Sequence, residues 1–221
     1  GGDINSGKVL DKLTKDLKLE KFEKLISDFS KSSFHKKILN LLDPKIKEIG
    51  FLSKLKYLKP IKIHDQNSAV GFIDWILFNN CYINYVVSKY PSNFGLPIHR
   101  DHRDKITALL FYFGFSDGKK RNKLGTEVYK INPKFKNFFH KKLNTLNTNK
   151  KDNNKLIRVE EVSPQANRLF CFMVGHNSWH GVEYIKLPKN VCRQTLQINL
   201  FKLRKYKFNV LIKIYRFLRF W

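Results

Sequence analysis

The chain reads as a mainly β domain, a sandwich or barrel, with helices at its N-terminal side. Helical spacing of apolar residues ends near Leu42, and from Cys81 onward short apolar runs recur between turn residues. The length of 221 residues suits a single β-rich domain with a sizeable core.

Between Val9 and Leu42, the residues Leu10, Leu13, Leu17, Phe22, Leu25, Ile26 and Phe29 recur mostly three or four apart, with charges between them. This predicts two or three helices, the last ending near Asp43-Pro44. Cys81–Tyr90 then reads as a strand and Pro91 to Gly95 as a turn. Ile106–Phe113 is a second strand, followed by a loop through Gly118. Glu127–Ile131, Arg168–Met173, His180–Ile185 and Gln194–Phe201 continue the series. Asn132 to Asn154 interrupts it with Lys and Asn, which predicts an inserted helix and a polar loop over one face.

The tail sets Lys213, Arg216 and Arg219 among Leu211, Ile214, Phe217 and Phe220. That is a basic amphipathic pattern, suited to packing on the domain, on a second subunit, or on an anionic membrane surface. The expected organisation is residues 1–80 as helical support, 81–203 as the β core with its insertion at 132–154, and 204–221 as the tail. Nothing in the sequence sets the oligomeric state.

Hydrophobic residues make up 42% of the chain, including 19 Phe, which excludes a disordered protein. Lys and Arg number 43 against 18 Asp and Glu, a net charge of +25. Such a charge attracts nucleic acid, anionic lipid or acidic substrates. Scarce Ala with abundant Lys, Asn, Ile and Phe is also what an AT-rich genome gives without selection for a partner. Cys81, Cys171 and Cys192 form no CxxC pair, which points to a reduced, cytoplasmic setting. With no secretory signal and no long apolar run, the chain is expected to be soluble, membrane contact being confined to the tail.

The chemistry is concentrated in two separated patches, Pro97-Ile98-His99-Arg100-Asp101 and Trp179-His180-Gly181-Val182, with Arg193 following. On an extended segment His99 and Asp101 point the same way, because strand side chains alternate. A second histidine from elsewhere completes two imidazoles and a carboxylate on one face, the donor set of mononuclear non-haem Fe(II) sites. His102 and His176 compete by spacing, being three and four residues from His99 and His180. Gly175 and the flanking strand runs argue against a helix there, so both read as supporting or surface residues. His35, His64 and His140 carry no assigned role.

An H-x-D step alone is a short motif, and its context gives it weight. Tyr90 precedes it at a strand end, and Gly125-Thr126-Glu127, then Pro164 to Phe172, lie between it and His180. In this order the motifs resemble the Fe(II)/2-oxoglutarate-dependent oxygenases, especially the prolyl-4-hydroxylase-like branch, from about Asn84 to Phe201. The resemblance implies a double-stranded β-helix (jelly roll) with iron held by His99, Asp101 and His180. It implies Arg193 pairing with the distal carboxylate of 2-oxoglutarate and Tyr90 near that cosubstrate; Tyr90 reads equally as a core aromatic, and an ordinary surface salt bridge is the lesser rival role for Arg193. On the strand after the motif, Thr107, Leu109 and Phe111 share a face, so Thr107 is the hydroxyl expected to turn inward with them. O2 would be the co-reactant, and succinate and CO2 would be released as a substrate is hydroxylated.

Two positions depart from the family pattern: Arg193 lies thirteen residues after His180, where many prolyl hydroxylases have lysine, and Thr126 replaces a second glycine. Competing readings are a cupin-type metalloenzyme that does not use 2-oxoglutarate and a basic nucleic-acid-binding protein. The latter lacks a base-reading basic helix and an aromatic RNA-binding signature. Base demethylation is disfavoured too, since the next arginine after Arg193 is Arg204 and not one six residues on. The substrate is expected to be a small molecule or peptide, with the positive charge favouring an anionic one.

Overall fold

A computed structural model describes residues 20–46, 61–135, 154–175 and 177–203. Leu10, Leu13, Leu17, His140, His176, most of the 132–154 insertion and the tail 204–221 lie outside the described residues. The described residues divide into two compact units, one within Tyr85–Asn199 and one formed by those up to Asn84 together with 200–203.

In the N-terminal unit, α1 (Glu20–Ser30) and α2 (Ser32–Ile46) are separated only by Lys31. Ile26 and Phe29 on α1, and His35, Ile38 and Leu39 on α2, are buried. His35 Nε2 donates to Phe29 O at 2.8 Å, giving one end-of-helix carbonyl the partner it lacks within α1. The second helix runs through Pro44 to Ile46, beyond the expected stop. In a last turn, proline's missing N–H costs a single bond, so it does not have to end the helix.

Strand β1 (Ile61–His64) pairs in parallel with the start of β2 (Asn79–Tyr90), Ile61 opposite Asn79. Parallel neighbours need a crossover, and the short helix α3 (Phe72–Leu77) lies within it. Neither β1 nor α3 stood out in the sequence. Among the described residues no helix is long and apolar enough to cross a membrane.

The second unit holds the β framework: β3 (Phe94–His99), β4 (Lys105–Phe115), β5 (Thr126–Ile131), β6 (Leu156–Val162), β7 (Arg168–Met173), β8 (Trp179–Ile185) and β9 (Arg193–Lys202), with the end of β2. One sheet runs β1-β2-β9-β4-β7 and the other β3-β8-β5-β6. From β2 onward successive strands switch sheets at every step except β5 to β6. That order is a jelly roll, the fold expected from the sequence.

Among the described residues, apolar clusters pack this framework. Phe115, Val182 and Leu187 pack with Leu96, Leu124 and Val191. Trp179 and Leu156 pack with Ile98, Tyr129, Ile131 and Phe135. Ile98 and Trp179 are the immediate predecessors of His99 and His180, so one cluster anchors both segments.

Candidate metal centre

His99 closes β3 and stands opposite His180 of β8 in an antiparallel pair. Opposed residues share a face, and the two imidazoles meet with ring centroids 4.3 Å apart. Close approach of the strands depends on small residues: a Cβ on Gly181 would lie 3.1 Å from Leu96 O, and one on Gly95 3.0 Å from Tyr184 Cα. Asp101, two residues past His99, brings Oδ2 to 3.9 Å from His180 Nε2. One ligand atom from each of the three residues lies within 4.8 Å of the others.

The hydrogen bonds prepare these histidines to bind metal. His99 Nδ1 lies 2.8 Å from Pro97 O, and His180 Nδ1 lies 2.9 Å from Ser178 O. A carbonyl only accepts, so each Nδ1 donates, which leaves the Nε2 side of each ring to face a ligand bond. Burial lowers the proton affinity of His180, opposed by the Asp101 carboxylate, which favours the neutral ring a metal needs. Phe172 closes one side, its ring 4.8 Å from that of His180. Two imidazoles and one carboxylate suit a divalent first-row ion such as Fe(II), with coordination positions left open.

A second polar group occupies the same sheet interior. Across β8 and β5, His180 pairs with Val128, and Thr126 follows on the same face, about 7 Å along the strand at ~3.4 Å per residue. Thr126 Oγ1 is hydrogen-bonded to Tyr112 Oη at 2.6 Å. Beside them Arg193, at the start of β9, is only 1% exposed. Its guanidinium lies 4.5 Å from the Tyr90 ring centre and donates to Leu124 O at 2.7 Å. Gln197, on the same row of β9, donates to Tyr90 Oη at 3.2 Å.

No carboxylate pairs with Arg193 among the described residues, and its Nε has no partner there. Burial pushes its pKa below the ordinary guanidinium value, opposed by the tyrosine oxygens of Tyr112 and Tyr90. A buried cation without an anion is costly unless a ligand supplies one. The surface salt bridge considered for Arg193 is therefore excluded by its burial.

The loop that serves this group is held from behind. Glu161 Oε1 accepts from Leu124 N at 2.7 Å and Gly125 N at 3.2 Å. Leu124 has a positive φ of 79°, a conformation costly for leucine. The adjoining Gly125 is obligatory, since a Cβ there would lie 1.7 Å from Val162 O.

The structure thus brings together His99, Asp101 and His180, and groups Arg193 with Tyr90. Thr107 departs from expectation. It pairs with Met173, while the next pair, Ala108 with Phe172, lies on the face that meets His180. Alternation turns Thr107, with Leu109 and Phe111, to the opposite side of the sheet, where its buried Oγ1 has no partner among the described residues. Tyr112 occupies the inward row instead. His102 is a surface residue, its Nδ1 accepting from Asp104 N at 3.3 Å.

No protein-family model and no curated protein matches the chain. Among solved structures it is similar to a Pseudomonas putida prolyl-4-hydroxylase (15% identity, TM-score 0.32), covering 55% of this chain and 52% of that one. EvdO2 from Micromonospora carbonacea var. aurantiaca matches at 10% identity and TM-score 0.31, over 57% of this chain and 54% of that one. An RmlC-like cupin from Desulfovibrio desulfuricans matches at 10% identity and TM-score 0.26, over 54% and 71%. The chain therefore spans about half the length of two of these three proteins. At these scores the likenesses carry no functional argument, and the jelly roll rests on the strand order itself.

Proposed function

We propose that the chain is an Fe(II)- and 2-oxoglutarate-dependent dioxygenase that hydroxylates a small molecule or peptide, with release of succinate and CO2. The observation that carries this reading is Arg193. The His-Asp-His group alone would serve any jelly-roll metalloenzyme, cupins included. A buried guanidinium without a carboxylate partner among the described residues, in the same sheet interior, calls for an anionic ligand there.

His99, Asp101 and His180 would hold the iron, which when bound supplies the activation of O2 that couples decarboxylation of the cosubstrate to hydroxylation. Arg193 would take the distal carboxylate of 2-oxoglutarate, a planar fork suited to two parallel hydrogen bonds. Tyr112 and Thr126 add hydroxyls to the same corner, and Tyr90 covers the guanidinium face. The chain's part is to fix ligand geometry, orient the cosubstrate and keep bulk water out. The +25 charge favours an anionic substrate.

Anaerobic addition of 2-oxoglutarate to the Fe(II)-loaded protein tests the reading. A visible metal-to-ligand charge-transfer band is expected with wild type and not with Arg193→Met. Its absence from wild type would leave the cupin reading in place.

A further inference from the structure

We propose that Lys105 is a positioning residue of the metal centre, holding Asp101 so that it offers a single oxygen to the ion. The proposal rests on reading His99, Asp101 and His180 as metal ligands. Lys105 Nζ lies 3.0 Å from Asp101 Oδ1, and the side chains are only 10% and 14% exposed. The other oxygen, Oδ2, is the one 3.9 Å from His180 Nε2. One carboxylate oxygen is thus held by an ammonium while its twin faces the ligand nitrogen.

The backbone fixes this arrangement. Lys105 opens β4, and its N–H donates to His102 O at 2.9 Å, closing the turn that joins the ligand segment to the sheet. Lys105 is therefore anchored by the strand, whereas Asp101 lies beyond the end of β3 and has no ladder of its own. Unrestrained, such a carboxylate can swing or bind through both oxygens. With Oδ1 engaged, Asp101 offers one donor and leaves another coordination position free for a chelating ligand.

A cation this close to a ligand also repels the metal. The positioning role requires that loss of orientation outweigh relief of that repulsion, and the two effects have opposite signs. Metal affinity therefore separates them.

The test is Mn(II) binding to the full chain, followed by electron paramagnetic resonance, for wild type, Lys105→Met and Lys105→Arg. Lys105→Met is expected to weaken Mn(II) binding by about tenfold or more, in the range for lost supporting contacts at metal sites. Lys105→Arg is expected to restore most of the affinity. The Co(II) d–d spectrum should change in Lys105→Met and stay close to wild type in Lys105→Arg. Equal or tighter Mn(II) binding by Lys105→Met, or an arginine variant as impaired as the methionine one, overturns the proposal. Circular dichroism melts establish that each variant is folded, and Lys105→Ala, which also lacks a donor, is read in the same way if the methionine variant is not. Failure of wild type to bind Mn(II) would instead sink the metal reading itself.

Discussion

Replacing Arg193 by methionine separates a ligand-binding arginine from a structural one, because the two roles predict opposite outcomes. The variant keeps much of the volume but loses the bond to Leu124 O and the stacking on Tyr90. Those losses are worth about 1 kcal/mol each. Against them stands release from burying a cation with no carboxylate partner among the described residues, worth several kcal/mol. The ligand-free variant should therefore melt near wild type or above it. Loss of a buried charge-assisted pair costs about 2–5 kcal/mol of binding, so 2-oxoglutarate affinity should fall at least about 30-fold. At a concentration 100-fold above Kd, a ligand stabilises the fold by about 2.7 kcal/mol, or roughly 5–11 °C for a domain of this size. A variant binding about 100-fold more weakly gains only about 0.4 kcal/mol under those conditions, roughly 1 °C. The assay is a thermal melt of the metal-loaded protein with and without 2-oxoglutarate. An equal ligand-induced shift in the variant would refute the reasoning. So would a ligand-free variant destabilised by several kcal/mol, which would make Arg193 a structural residue.

Other perturbations report on the frame around the site. Gly125→Ala places a Cβ 1.7 Å from Val162 O and should cost at least about 3 kcal/mol; a melting temperature within two degrees of wild type would contradict the packing of that loop. Cys81 is 1% exposed, and burial pushes its thiol up to about 12. Folded protein should leave it unalkylated by iodoacetamide at pH 8 while denatured protein reacts, as peptide mass mapping would report. The buried His35 imidazole has its pKa lowered by desolvation, opposed by its bond to Phe29 O. A depressed folded value means stability present above about pH 6.5 and lost as pH falls through the folded value. His35→Gln should flatten that acid-side slope in denaturant titrations, and an unchanged slope would assign it to other groups.

The grouping of His99, Asp101 and His180 was legible in the sequence because a short extended segment and a strand fix side-chain direction almost without tertiary help. His99 closes β3 and His180 is the second residue of β8, and the two stand opposite each other. Thr107 shows where that logic stops. Lys105–Phe115 carries apolar residues on both rows and is buried on both, so alternation gives two faces but does not say which is inner. Tyr112 was hidden for the same reason. β3 was read partly as a turn because Asn93 and Gly95 flank its start, and β6 was not read as a strand because Arg158, Glu160 and Glu161 interrupt its apolar pattern on an edge strand. Lys105 lies four residues past Asp101, yet such a spacing predicts no contact unless the intervening turn is known. Arg193 was legible as a cation, but its burial came only from packing.

Succinate formation is the decisive readout for a 2-oxoglutarate-dependent reaction at this site. Purified protein is supplied with Fe(II), 2-oxoglutarate and air, and succinate is quantified with and without a panel of anionic small molecules and peptides. Fe(II)-dependent succinate is expected from wild type, even where turnover is uncoupled from any substrate, and none above background from His99→Ala. Wild-type protein that binds Fe(II) but yields no succinate above the His99→Ala background would contradict it.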